Sequence, residues 1–286
     1  MREGQIIKSI SGEYTIASKN EKIVCKPLGV FRYKGMTPKV GDLVKFDEKN
    51  KSIVEIKNRK NDLIRPVIAN VDKAFLVFSV KEPDLNLNLL DRMLAIIEFN
   101  NIEAIIVFTK LDLLENKKEY EIVKEYYHEI GYTIYESSKD SLPHDLLSEL
   151  DGNICVLTGQ SGVGKSTLLN HFDESLNIKT NEISQALGRG KHTTRHVELL
   201  PLGGGYLADT PGFGTVDFTD MDLSSMSHAF VEFFESLPNC KFGKCLHMNE
   251  PNCEVKRKVE NNEILKSRYE NYLLFMKEIQ ETKKKY

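Results

Sequence analysis

Residues 159–167 read GQSGVGKST: Gly159, Gln160, Ser161, Gly162, Val163, Gly164, Lys165, Ser166 and Thr167. The stretch follows an apolar run, NICVL, and opens a helical one, which is the strand–loop–helix setting a phosphate loop needs. Its glycines let backbone N–H groups turn inward around a β-phosphate at a helix N-terminus. Lys165 then neutralises charge on the β- and γ-phosphates, and the Ser166 hydroxyl is offered to Mg2+. A second apolar run ends in DTPG at 209–212, where Asp209 is placed to hold Mg2+ through water and the Gly212 N–H to sense a γ-phosphate. Between the two lies GRGKHTTRH at 188–196, a glycine-bounded polar loop in the position of a first switch. A threonine there completes the Mg2+ shell; Thr194 is the first choice and Thr193 the alternative.

Base recognition is the next chemistry to look for. TKLD at 109–112 supplies Thr109, Lys110, Leu111 and Asp112. A carboxylate at Asp112 accepts from guanine N1–H and the 2-amino group together, whereas adenine has no donor at either place. Lys110 is expected along the base plane, and SSK at 137–139 offers backbone N–H groups of Ser138 and Lys139 to the base oxygen. Lys-x-Asp after a strand also serves as a helix cap, so the tetrad by itself is weak. Its weight comes from company: four loops at the carboxyl ends of four expected strands, where open α/β sheets bind ligands. Asp112 argues against an ATPase. The tetrad precedes the phosphate loop, the reverse of the usual order in guanine-nucleotide switches. Loops that meet in space can be joined in any chain order when termini lie close together, so the order indicates a circularly permuted GTPase domain.

The remaining constellation is CKFGKCLHMNEPNC, with Cys240, Cys245, His247 and Cys253 spaced C-x4-C-x-H-x5-C. Three thiolates and one imidazole make a closed tetrahedral set with no position left for substrate, as in structural zinc sites. The loop is too poor in apolar residues to hold its shape without a metal.

These groups need elements to carry them. Residues 1 to about 60 read as short strands with turns between, GQIIKSI, EYTIAS, KIVCKPLGVFRY, VGDLVKFD and SIVEIKNRK, an all-β segment of small-barrel size. From about Arg65-Pro66 the texture changes to strands alternating with helical stretches, as in an open parallel sheet. AFLVFSV leads to LNLLDRMLAIIEFNN, AIIVF to KEYEIVKEYYHEIG, YTIYE to PHDLLSEL and NICVL to GKSTLLNHF. VELLPL and GYLA read as a strand pair. Beyond about residue 217 the pattern is helical with the cysteine-rich interruption, and EVKRKVENNEILKSRYENYLLFMKEI reads as one closing amphipathic helix. The division expected is 1–63, 64–217 and 218–286.

Composition fits a soluble globular chain: 286 residues, 41% hydrophobic and 28% charged. No apolar run approaches the roughly 18 residues needed to span a bilayer, and the N-terminus lacks a signal-peptide core, so a cytoplasmic protein without membrane association is expected. Five cysteines, three of them clustered, suit a reducing compartment and a metal site better than disulfides, with Cys25 and Cys155 read as small buried hydrophobes. Residues 1–62 carry 14 Lys+Arg against 8 Asp+Glu, residues 63–239 carry 14 against 27, and residues 240–286 carry 11 against 7. One charged end is commonly a solvated face. Two basic ends around an acidic middle favour a polyanionic partner.

The order TKLD, SSK, GQSGVGKST, HTTRH, DTPG, with a β-barrel before it and a cysteine cluster after it, resembles the ribosome small-subunit-dependent GTPase A family along essentially the whole chain. The resemblance implies a multidomain α/β protein: an N-terminal barrel of the oligonucleotide-binding (OB) type, a circularly permuted phosphate-loop GTPase domain, and a C-terminal helical zinc-binding domain. It also implies GTP and GDP as ligands, Mg2+, one structural Zn2+, and work on the small ribosomal subunit and its rRNA in late maturation. Assembly factors are further candidate partners, and a monomer is the default state. Two positions depart from a standard GTPase. Thr109 stands where most such domains have asparagine, and Phe213 follows DTPG where many keep a water-orienting glutamine. An apolar ring cannot orient water. The resemblance points to His192 as the substitute, since an imidazole can accept a hydrogen bond from the attacking water. A GTP-dependent switch on another RNA or a protein is the competing expectation.

Overall fold

The computed structural model describes residues 1–19, 21–33, 35–64, 66–139, 141, 143–172, 197–209 and 217–283. Contacts divide the chain into two compact units, Met1–Phe75 with Leu142–Gly214, and Leu76–Ser141 with Thr215–Tyr286. Among the described residues no helix is long and apolar enough to cross a membrane.

The chain begins with a closed five-stranded barrel: β1 (Arg2–Ile10), β2 (Glu13–Ser18), β3 (Glu21–Pro27), β4 (Leu43–Asp47) and β5 (Ser52–Ile56). The strands pair in the order β1-β2-β3-β5-β4, and β1 pairs antiparallel with β4 to close the circle, leaving no free edge. Alternate residues point inward, and Ile6, Ile16, Val44, Phe46 and Ile53 are fully buried there. Gly41 has φ +90, and a Cβ on it would lie 1.9 Å from the Ala69 carbonyl oxygen; the barrel packs against following backbone only because that position is glycine. Between β3 and β4 the sequence suggests a continued strand, but Gly29–Tyr33 is a short helix, α1. Burial gives the reason. A strand would put Phe31 and Tyr33 on one face, whereas Phe31 is buried and Tyr33 is exposed.

After a two-residue pair, β6 (Asp62–Leu63) and β7 (Ile68–Ala69), the chain enters β8 (Lys73–Ser79), α2 (Leu87–Phe99), β9 (Glu103–Thr109), α3 (Lys118–Glu129) and β10 (Thr133–Glu136). β9 and β10 are parallel, with β8 on the other side of β9. Every residue from Ala104 to Thr109 is buried, the continuous apolar texture of a strand covered on both faces. Asn86 caps α2 by accepting from the Leu89 N–H at 2.9 Å. Leu90, Met93, Leu94 and Ile97 then fall on one face and are buried, the spacing of an amphipathic helix.

Back in the first unit, β11 (Ile154–Thr158) leads into α4 (Lys165–Phe172). β12 (Glu198–Leu202) and β13 (Gly205–Asp209) form an antiparallel hairpin. Gly203 and Gly204 at its tip have φ 57 and 82, the left-handed pair that a two-residue hairpin turn requires. β13 runs parallel to β11, and β12 meets β1 of the barrel at Lys8↔Glu198, where the two side chains form a 2.6 Å ion pair.

The last segment folds within the second unit as α5 (Leu223–His228), α6 (Val231–Ser236), α7 (Glu254–Glu260) and α8 (Lys266–Lys283). The one closing helix read from the sequence is therefore two. The break falls at Asn261-Asn262, where Asn262 takes φ 59, a left-handed conformation that asparagine tolerates and a continuing helix does not. α8 packs against α2, and the contact encloses ions. Arg268, fully buried, donates to Glu232 at 2.5 and 3.0 Å and to Asp91 at 2.6 Å. Asp91 also accepts from Tyr127 Oη at 2.5 Å and Asn271 Nδ2 at 2.7 Å. Burial works against the Arg268 charge, but Glu232 and Asp91 outweigh it and hold the guanidinium protonated. The aromatic rings of Phe230 and Tyr127 lie 4.5 and 5.4 Å from its Cζ.

Candidate functional site

The phosphate loop leaves β11 after five buried residues, Ile154 to Thr158. Gly159, Gly162 and Gly164 have φ of 145, 81 and 97, conformations that L side chains rarely adopt, so the motif's glycines are required by the backbone path. Val163, inside the loop, is buried. Gln160 is half-buried, while Ser161, Gly162 and Thr167 are exposed. Lys165 opens α4, and its Nζ donates to the Gly159 carbonyl at 2.6 Å and to that of Gln160. The ammonium thus already sits over the loop mouth, and burial lowers its pKa. Ser166, in the first turn of α4, is buried. N–H groups at a helix start, an ammonium and a hydroxyl are the parts of a phosphate and Mg2+ site.

Asp209 is the last residue of β13, opposite Glu198. Its side chain lies outside the described residues, as do His192, Thr193, Thr194, Gly212 and Phe213.

The base-reading candidates share the second unit and are brought together there. Thr109 ends β9 buried, its Oγ1 3.4 Å from the Phe78 carbonyl that accepts from it. Lys110 takes the left-handed conformation, φ 61 and ψ 35, and Leu111–Leu113 form a single 3-10 turn. The chain reversal at Lys110 exposes Asp112. Ser137 N–H donates to the Phe108 carbonyl at 2.8 Å and Leu111 N–H to the Ser137 carbonyl at 3.3 Å, which fixes SSK beside TKLD. The Lys139 N–H donates to Asp112 Oδ1 at 3.0 Å. Asp112 and the SSK amides thus lie together at strand ends, with the Lys139 amide held on the carboxylate. Ser138 N–H meanwhile donates to the Ser141 carbonyl at 2.8 Å. Sequence reasoning missed the loop after β8. Lys110 Nζ donates to the Glu82 carbonyl, and the loop is tied by Ser79 Oγ to the Pro83 carbonyl at 2.7 Å. Its signal was its place, at the carboxyl end of a strand next to β9.

Cys240, Cys245, His247 and Cys253 converge, their ligand atoms all within 4.8 Å of one another. His247 Nδ1 lies 3.6 Å from Cys240 Sγ and 3.3 Å from Cys253 Sγ. Ligands at usual zinc distances stand about 3.6 Å apart along a tetrahedral edge, so the set fits one zinc ion. Burial lowers the His247 pKa to about 4 and leaves the neutral imidazole a metal requires. Burial, with the neighbouring sulfurs, pushes the Cys245 thiol up to about 12; three adjacent thiolates need a cation among them. The surroundings were not legible beforehand. Glu250 accepts from the Leu246 and Met248 N–H groups at 2.7 and 2.9 Å. From α8, Tyr269 donates to the His247 carbonyl at 2.8 Å and Tyr272 to that of Leu246 at 2.6 Å. The three-residue spacing of those tyrosines puts both on one helix face, the signal that was available.

Strand, phosphate loop and helix in one unit, and a guanine-type tetrad with its partner loop in the other, occur here with the base reader first in the chain. That arrangement is the circularly permuted phosphate-loop GTPase. Comparison with known proteins agrees. Residues 56–219 match the RsgA GTPase family model and residues 3–54 the RsgA N-terminal domain. The chain is similar to the small ribosomal subunit biogenesis GTPase RsgA 2 of Oceanobacillus iheyensis, with 48% identity over all of both chains. It is 47% identical to small ribosomal subunit biogenesis GTPase RsgA of Shouchella clausii, again over all of both. The crystal structure of YloQ, a circularly permuted GTPase, superposes with TM-score 0.82 at 39% identity, covering 99% of this chain and 96% of that one. This chain belongs to the RsgA GTPase family and is a GTP-hydrolysing enzyme.

Proposed function

We propose that the protein is a Mg2+-dependent GTPase that binds the small ribosomal subunit, acts in its late maturation, and is stimulated by it. The end-to-end likeness to proteins named for small-subunit biogenesis carries the ribosomal part of this reading. Asp112 and the amides of Ser138 and Lys139 read guanine, with Lys110 along the base and Thr109 and Leu111 setting the turn. Gly159 to Thr167 hold the phosphates. Ser166, Asp209 and Thr194 hold Mg2+, which would supply charge neutralisation between the β- and γ-phosphates. Gly212 senses the γ-phosphate, Lys165 stabilises charge on it in the transition state, and His192 orients the attacking water. Cys240, Cys245, His247 and Cys253 hold a structural zinc. In this reading residues 64–217 are the GTPase domain, 1–63 and 218–286 are the rRNA-binding ends, and the protein works as a cytoplasmic monomer.

A phenylalanine at 213 and a loop histidine in place of glutamine make the free protein a slow enzyme. Completing a phosphoryl-transfer site in trans accelerates turnover by about 10³ to 10⁵ in known switches. The test is GTP turnover with small subunits, with large subunits and alone. Small subunits are expected to stimulate strongly, with stimulation falling steeply from about 50 to 200 mM salt as counterion release weakens. His192→Ala is expected to lose most of the stimulated rate and keep subunit binding. Equal rates with and without small subunits would end the ribosomal reading; a wild-type stimulated rate in the variant would remove His192 from catalysis.

A further inference from the structure

Between the first two zinc-ligand candidates runs the loop Lys241-Phe242-Gly243-Lys244. All four residues are exposed, and Phe242 shows 44% of its surface. Gly243 has no left-handed φ, and a Cβ there would meet nothing within 4 Å, so neither backbone conformation nor close packing asks for glycine. The loop is nonetheless held at both ends. Cys240 and Cys245 belong to the metal-ligand cluster, Lys241 N–H donates to the Asn252 carbonyl at 3.4 Å, and Cys245 N–H closes a turn onto the Phe242 carbonyl at 3.1 Å.

Charge distinguishes the loop from the helices beside it. Arg257 is bound by Glu254 and Glu263 at 2.7 and 2.9 Å, and Lys266 and Lys277 face Glu270 and Glu281. Among the described residues neither Lys241 nor Lys244 has a carboxylate within 4.0 Å; Lys241 Nζ instead stands 5.6 Å from the centre of the Phe242 ring. A part-exposed aromatic ring with one ammonium over it and a second ammonium two residues on in the same exposed loop, and a glycine that leaves room for close approach, is the chemistry that holds an unpaired nucleotide. The ring stacks the base and the cations take the phosphates on either side.

We propose that residues 241–244 form an RNA-binding knuckle in which one unpaired base stacks on Phe242 and the flanking phosphates pair with Lys241 and Lys244. It rests on the proposed function only in that the partner carries RNA. The full-length protein is titrated, by fluorescence anisotropy, into a short labelled oligouridylate, and in parallel its binding to small ribosomal subunits is measured. Phe242→Ala is expected to weaken oligouridylate binding by roughly 5- to 150-fold, the range for loss of one base–aromatic stack. Phe242→Tyr should retain binding and Phe242→Leu should not. The pair Lys241→Gln and Lys244→Gln should flatten the slope of log affinity against log salt by about 1.4, near 0.7 per phosphate contact on a single strand. Zinc content and basal GTP turnover should stay at the wild-type level in every variant. The proposal is overturned if wild type does not bind oligouridylate, if Phe242→Ala binds it as wild type does, or if leucine serves as well as tyrosine. It is also overturned if the substitutions weaken subunit binding alone, which would mark a protein contact. Phe242-dependent oligouridylate binding without subunit binding would leave the knuckle standing and remove the ribosomal reading instead.

Discussion

The phosphate loop and the candidate base-reading loops are built from different materials. The first is one contiguous stretch whose backbone does the work: three glycines in conformations closed to other residues, one buried valine, and a lysine folded onto the loop's own carbonyls. The second is assembled from segments far apart in sequence. Asp112 meets the Lys139 amide because β9 and β10 pair in register, Thr133↔Ile105 through Glu136↔Phe108. Its unit is also braced by the buried ions around Arg268 and contains the four metal-ligand candidates. A loop carried by local backbone geometry should tolerate distant damage, whereas a site carried by packing should register it.

Metal removal is the strongest way to break that contrast. The protein purified without chelator should contain about one zinc per chain, and stripping it should expose residues 240–253 to hydrogen exchange. In small zinc modules the ion contributes about 10–16 kcal/mol of apparent binding free energy, much of it folding energy. Protection of the barrel and of β11 should be unchanged. A metal-free preparation with an unaltered exchange pattern would contradict the zinc assignment.

Arg268→Leu should come next. It leaves Asp91 and Glu232 buried without their cation, a loss of about 3–5 kcal/mol. Denaturant unfolding followed by residue-resolved exchange should show α2, α3 and α8 destabilised well before the barrel strands. Uniform destabilisation would mean that the two units unfold as one and that the contrast has no energetic content. Lys165→Ala should do the converse, lowering GTP turnover by roughly 10² to 10³ while leaving thermal stability near wild type. A variant that turns over GTP as wild type does would take the ammonium out of the reaction.

The same contrast explains what could be read in the sequence. The phosphate loop was legible because its geometry is local: GQSGVGKST between an apolar strand and a helix fixes the glycines' role with no knowledge of the rest. The cysteine spacing was legible for a similar reason, since ligand type and loop length decide the set. The barrel strands and the β12–β13 hairpin followed from short strand-like runs with turns between them and from VELLPL and GYLA read as a strand pair. What failed to show was tertiary. The helix at Gly29–Tyr33 goes with the opposite burial of Phe31 and Tyr33, and the break at Asn262 interrupts an amphipathic pattern that continues through it. The Arg268 cluster joins residues more than 170 apart, and nothing in the local sequence marks a charged residue for the core. Lys110 leaning on the Glu82 carbonyl depends on which strand lies beside β9.

Guanine selection by Asp112, placed before the phosphate loop in the chain, is the central claim, and a change of nucleotide tests it most directly. Xanthine carries a 2-oxo group where guanine has the amino donor, so an amide at position 112 can accept from N1–H and donate to the 2-oxo group of xanthine, whereas it cannot accept from both guanine donors together. Binding and turnover of Asp112→Asn should therefore be measured with GTP and with xanthosine triphosphate side by side. The account predicts that the variant loses affinity for GTP and gains it for xanthosine triphosphate. Unchanged GTP affinity in Asp112→Asn would place the base reader elsewhere and contradict guanine selection by Asp112.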